Sequence, residues 1–566
     1  MALASPISQS SETVSFYTAN DSDTSPSMAY REARPLPREL QEHCRIFLEE
    51  QLYLCAVNLL NSTLASGLAR VKGSVKKVPV PPPSHLALLA TLVVHPAHTT
   101  RAENAEQAAV AALALDYLRN LLAVVGPVNA GFRAAFRFGR MASASRRRHA
   151  DNGDMSDGSD RDGEERDDDE DDDDDDDDGL RGSMAHENSV WVRGQDLWST
   201  VGWAFNTATR YPRRWRFWKV WLEFMLDVLD ADWEERTRID TEAHHLEGGD
   251  EEPIASRAQS MIAMYMDQRD GRQSGLKRIT KALFADGRDL STSAFPQVFD
   301  NEPRGPRDTS KKRKREQLDL QNDKFGDYLD DDSISSGISE PPTPQKPRSV
   351  RKDVPFGLSS PGLAESVPLR LRFFTRLSAA AWALRRRAEL DRLYEDFAVA
   401  VKVLPLSMFS LFVTQRENPL PPEAHVTITK ELFQLLLPAK HKDPSKVDPE
   451  NDALGGLTMP MLEHCYISWP ANTVGFEDNA KLSLVVENAL QLLWTCDLLE
   501  YSDSLAEAAV KGIEARKTKS LTRRTGRVRA DAGGDVLSQD VLSNSAERIR
   551  VLLELLRECA ESEEES

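Results

Sequence analysis

His95 and His98, in the run His-Pro-Ala-His, each offer an imidazole nitrogen to a metal, as do His244-His245 and the adjacent His464 and Cys465. A zinc centre needs three or four such donors to converge, commonly as two pairs at finger-like spacing. None of these pairs has a second pair at that distance, so they read as ordinary histidines, and no metal or other cofactor is expected. Ser74 and Lys77 spell S-x-x-K, a nucleophile one helical turn from a lysine. They lie in a basic stretch before a proline run, without the partner motifs such an enzyme requires. No phosphate-cradling glycine loop, nucleophile elbow or H-E-x-x-H helix occurs anywhere in the chain. The residues point away from an enzyme, and no catalytic or cofactor-binding residue is assigned.

What the chain carries instead is charge suited to recognition. Lys311, Lys312, Arg313, Lys314 and Arg315 form a compact basic cluster among polar residues, the kind that nuclear import receptors read. Arg523, Arg524, Arg527 and Arg529 make a basic loop, and Arg210, Arg213 and Arg214 open a tryptophan-rich helix. Both sets are candidate phosphate contacts. The second is placed against the helix dipole, which suggests a purpose other than helix stability. Opposed to these is a block of acid: from Glu164 to Asp178 only Arg166 interrupts the negative charge. Residues 144–182 hold nineteen acids against six arginines, so this stretch supplies −13 of the formal charge of −20. Such a run repels itself and stays solvated. Asp167–Asp178 would suit a basic partner such as a histone or ribosomal protein. Ser25, Thr343 and Ser360 precede prolines and Ser562 precedes Glu563–Glu565, which makes them candidate phosphosites; added phosphate near the basic cluster would weaken import or binding.

The elements that must position these groups are helical. Leu40, Cys44, Phe47, Leu48, Leu52 and Cys55 recur at spacings of three and four, predicting a helix over 38–65. Ser84 is a plausible N-cap after the proline run, and Thr99 or Thr100 opens an alanine-rich helix closed by Gly126-Pro127. Seven of the ten tryptophans fall between Trp191 and Trp233. Around the helix that starts at Pro212, Tyr211, Trp215, Trp218, Leu222, Met225, Leu229 and Trp233 share one face, with Arg213, Arg216, Lys219, Glu223, Asp227 and Asp230 opposite. Rings and charges segregate, so the aromatics belong to a core rather than to a stacking platform for nucleic acid, and so wide an apolar arc needs neighbours on several flanks. Further helices are predicted over 367–403, 405–417, 427–437, 457–466, 479–500, 502–518 and from Ser545 to Ala560.

The chain is thus expected to be all-α, an irregular multi-helix array, solenoid-like or bundled, interrupted by two long disordered insertions. Its segments are a disordered tail (1–34), an N-terminal helical segment (35–141), an acidic insertion (142–186), a Trp-rich helical segment (187–298), a linker with the basic cluster (299–365), a C-terminal helical segment (366–520), a basic loop (521–538) and a final helix with an acidic tail (539–566). The longest nearly apolar run, residues 86–94, falls short of the about 20 residues a bilayer crossing needs, and residues 1–30 lack a secretory pattern. Five cysteines with no C-x-x-C pair, four of them in apolar helical patterns, suit a reducing compartment. The expectation is a nuclear scaffold or adaptor, nucleoplasmic or nucleolar and without a membrane, binding protein partners in a chromatin-associated or ribosome-assembly complex. The alternatives are an acidic chaperone for histones or ribosomal proteins, and a nucleic-acid-binding helical protein.

Overall fold

A computed structural model of the protein describes residues 30–68, 77–139, 180–247, 253–268, 275–304, 361–414, 419–521 and 532–564. The acid run Glu164–Asp178, the basic clusters Lys311–Arg315 and Arg523–Arg529, and Ser25, Thr343 and Ser360 lie outside them. Among the described residues the fold is all-α, 73% helical, with two three-residue strands. These strands, β1 (Ala33–Pro35) and β2 (Val78–Val80), pair in parallel with Ala33 opposite Val78, a pairing hidden from the sequence by the surrounding prolines.

The N-terminal part holds α1 (Arg38–Glu49), α2 (Tyr53–Leu68), α3 (Pro83–Val94) and α4 (Ala105–Val125). The single helix expected over 38–65 is two, because the chain turns at Gln51, whose φ of 62° is left-handed. Leu52 N–H donates back to Phe47 O, a closure usually built on glycine, so nothing local announced it. Ser84 is not a cap: α3 begins at Pro83, in the first-turn position where proline's missing N–H is harmless. Neither Thr99 nor Thr100 caps α4. Asn104 does, its side chain accepting from Gln107 N–H at 2.8 Å. Gly126 ends α4 as expected, at φ 78° and so close to Tyr30 that a Cβ would lie 2.4 Å from its ring. Helix α4 corrects another expectation, since by length and composition it would suffice to cross a membrane. Here it contacts α2 and α3, and Val110, Ala114, Leu118 and Leu121 are among its buried residues.

The middle is built on α5 (Leu197–Arg210) and the long α6 (Pro212–Glu247), joined by α7 (Gly275–Leu283) and α8 (Pro361–Ala383). Trp215, Trp218, Leu222, Met225, Leu229 and Trp233 are buried, and α6 contacts α3, α5 and α8, the several flanks its wide apolar arc demands. Its charged side is not simply wet. Arg372 and Arg376 of α8 reach Asp227 and Asp230 at 2.7–3.0 Å. The folded part also extends into stretches assigned by composition to insertions: Leu180, Phe299, Glu302 and Leu363 are all buried.

Beyond a second left-handed break at Arg385 (φ 59°) come α9 (Arg387–Val403), α10 (Leu406–Val413), α11 (Pro422–Leu436), α12 (Phe476–Thr495), α13 (Asp503–Leu521) and α14 (Ala532–Glu564). The last begins well ahead of the expected Ser545. A π-helical turn, Leu462–Ile467, replaces most of the helix expected over 457–466. Neighbour packs on neighbour from α9 through α11 and α12 to α14, and one continuous apolar core runs through the array. Of the cysteines only Cys44 and Cys465 are buried, where a free thiol packs as a small hydrophobe; Cys55, Cys496 and Cys559 are exposed.

Basic side chains recur at helix ends. Arg214 donates to Val94 O at the end of α3, Arg370 to Ala285 O just past α7, Lys402 to Leu435 O of α11, and Lys481 to Lys402 O of α9. Arg516 does the same to Ile467 O at the end of the π turn. The last carbonyls of a helix lack partners and together carry about half a negative charge. Among the described residues, a cation aimed at them is stabilised by those carbonyls, alone for Lys402 and Arg516 and together with a carboxylate for Arg214 (Glu302) and Lys481 (Glu477).

Candidate binding cleft

Helices α7, α8, α9 and α10 do not close completely on one another. Between them lies an open cleft of about 430 Å³, within the range of ligand-sized pockets. One wall is α7 and the turn after it, with Lys277, Lys281, Phe284 and Arg288; the other is α9 and its exit, with Val399, Val403, Leu404 and Pro405. Val399 is 48% exposed and Val403 77%, one helical turn apart, so α9 turns an apolar stripe to solvent beside its buried one of Leu393, Phe397 and Val401.

The lining rings Phe284 and Phe412 are held from behind the cleft surface by Phe397, which does not itself line it. Phe397 packs against Phe284 (5.0 Å), Phe374 (4.0 Å) and Phe412 (6.2 Å), tying α8, α9 and α10 to the turn after α7. Beneath them Arg370 is fully enclosed. Its Nε donates to Ser366 Oγ at 2.9 Å, its two terminal nitrogens to Leu283 O and Ala285 O, and its guanidinium lies 4.1 Å over the Phe205 ring. Burial pushes its pKa down to about 9, opposed by the Asp286 carboxylate. The cleft therefore has an apolar lining, a locked cationic base and a rim whose α7 side is basic. This arrangement can receive apolar side chains that carry negative charge beside them.

Of the residues singled out from the sequence, those that are described lie elsewhere. Arg214 is 1% exposed: Nε and Nη2 donate to Glu302 Oε1 at 2.8 and 2.6 Å, and Nη1 to Thr99 Oγ1 at 2.7 Å. It is a strut of the core and not a phosphate contact. Its partner lies 88 residues further on, beyond any local pattern. Arg210 is on the surface, paired with Asp289 at 3.0 Å, and Arg213 is exposed. Ser562 is exposed on α14, donating to Cys559 O at 2.7 Å.

The histidines are structural where they are buried. His95 Nδ1 accepts from Ala97 N–H at 3.2 Å and the ring meets Phe299 edge-on at 4.8 Å; His98 meets Tyr53 the same way at 5.1 Å. Burial, then the charges of His98, Arg101 and Arg214, pushes His95 down to about 3. His464 is half exposed, 3.5 Å from Glu463, while Cys465 is enclosed. Lys77, of the S-x-x-K match, pairs with Glu32 at 2.7 Å. Among the described residues no three His, Cys, Asp or Glu side chains gather as a metal site.

The cleft itself went unnoticed in the sequence. A wheel of 387–403 would have found its signal, a second apolar stripe of Val399, Ala400 and Val403 beside the main one. No protein-family model, curated protein or solved structure matches this chain.

Proposed function

We propose that this protein is a non-enzymatic scaffold, an all-α array that holds protein partners in a nuclear complex, chromatin-associated or engaged in ribosome assembly. The observation that carries this reading is the open apolar cleft between α7 and α9, a groove of the kind that accepts a partner helix. The nuclear compartment rests on Lys311–Arg315. A second reading, an acidic chaperone for histones or ribosomal proteins, is favoured by the polyanionic run Glu164–Asp178.

Affinity purification of the full chain, beside a variant lacking 164–178 and across a salt series, separates the two. The scaffold reading expects the same partners on both proteins and little loss at high salt. Loss of every partner on deletion, with steep salt dependence, would replace it with the chaperone reading. A fluorescent fusion with alanines at Lys311–Arg315 should move to the cytoplasm; retention in the nucleus would reject that cluster as the import signal.

A further inference from the structure

The two walls of the cleft differ in chemistry but share a repeat. Lys277 and Lys281 stand one turn apart on α7, and Val399 and Val403 one turn apart on α9; all four are exposed. Arg288 extends the basic wall and sits 3.3 Å from Asp286, which offsets that acid. Asp396 is the other acid on the rim.

We infer that the cleft seats a partner α-helix bearing apolar side chains at i and i+4 with acidic residues along one flank. This rests on the scaffold reading and specifies the chemistry of its partner. A helix presents side chains at i and i+4 about 6 Å apart on one face, the repeat that both walls display. Its apolar stripe would cover Val399 and Val403, and its acids would meet Lys277 and Lys281. Phe284 and Phe412 of the lining already pack on each other at 5.3 Å and on Phe397, so binding need not order them. The chain's own acidic run cannot serve, since Glu164–Asp178 contains no apolar residue.

The test uses the full-length protein and a fluorescein-labelled, alanine-based helical peptide with leucines at i, i+4 and i+7 and glutamates on one flank. Its companions are the same peptide with lysine for glutamate, an oligoglutamate of equal charge, and dodecanoate. The acidic amphipathic peptide should bind saturably, and Val399→Glu with Val403→Glu should weaken it about tenfold or more. Lys277→Glu with Lys281→Glu should weaken it about fivefold and improve the lysine peptide. These four side chains are exposed, so circular dichroism should show the fold unchanged. The inference is overturned by absence of saturable binding, by equal binding of oligoglutamate, by indifference to the valine substitutions, or by dodecanoate binding in place of the helix. If the valine variant still purifies with the full partner set, this cleft is not the docking place while the scaffold reading stands.

Discussion

Glu302 is the side chain on which the tryptophan-rich middle converges. Its carboxylate accepts from Arg214, from Trp218 Nε1 at 2.5 Å, from Trp203 Nε1 at 2.8 Å and from Phe299 N–H at 3.2 Å, with no exposure to solvent. A buried ion pair gains little over a well-packed apolar pair, but removing one partner strands the other charge. Glu302→Gln should therefore cost about 3–5 kcal/mol, read as a lowered denaturant midpoint by tryptophan fluorescence. Adding Arg214→Met should recover part of that loss. A double variant no more stable than Glu302→Gln alone would mean that the stranded arginine is not the cause.

At the scale of elements, α13 passes so close to the π turn that a glycine stands at the approach. A Cβ at Gly512 would lie 1.9 Å from Ile467 O, the same carbonyl that Arg516 caps from one turn further on. The π turn widens the backbone there, and glycine lets α13 come near enough for Arg516 to reach its end. Gly512→Ala should push the helices apart and destabilise the protein by about 1–3 kcal/mol, with faster amide exchange in α13. Unchanged exchange would show that the two helices are less closely seated.

For the whole molecule, the buried histidines set a pH limit on stability. Burial pushes His85 and His425 down to about 4 and His95 to about 3, against about 6.5 in an unfolded chain. As pH falls below 6.5 the unfolded chain takes up protons that the folded one refuses. Stability present at neutral pH is then lost progressively down to the folded values, by about 1.4 kcal/mol per histidine per pH unit. Asp232, raised by burial, acts in the opposite sense. The melting temperature should fall from pH 7 to pH 5, and His425→Gln, beside Asn488 at 2.9 Å, should flatten that fall. A flat profile between pH 7 and 5 would contradict neutral burial of these rings.

Local pattern decided much of this fold. The 3.6-residue period told which faces of α6 are buried, and Pro212 and Gly126 marked ends with the geometry expected of them. The helix faces and ends succeed because periodicity and proline or glycine stereochemistry act within a few residues; the acidic run lies outside the described residues. What failed locally was decided at long range. Gln51 and Arg385 take left-handed turns that tertiary packing imposes on non-glycine residues. Arg214 looked like surface charge until its carboxylate, 88 residues away, closed over it. The cleft belongs to the same class. Its stripe on α9 could be read in the sequence, but its basic wall comes from α7, more than a hundred residues earlier, and only folding sets the two side by side. Sequence alone determined that the chain would build apolar-faced helices; the tertiary structure decided which charges went inside and which apolar side chains stayed out, because both depend on partners that no local window contains.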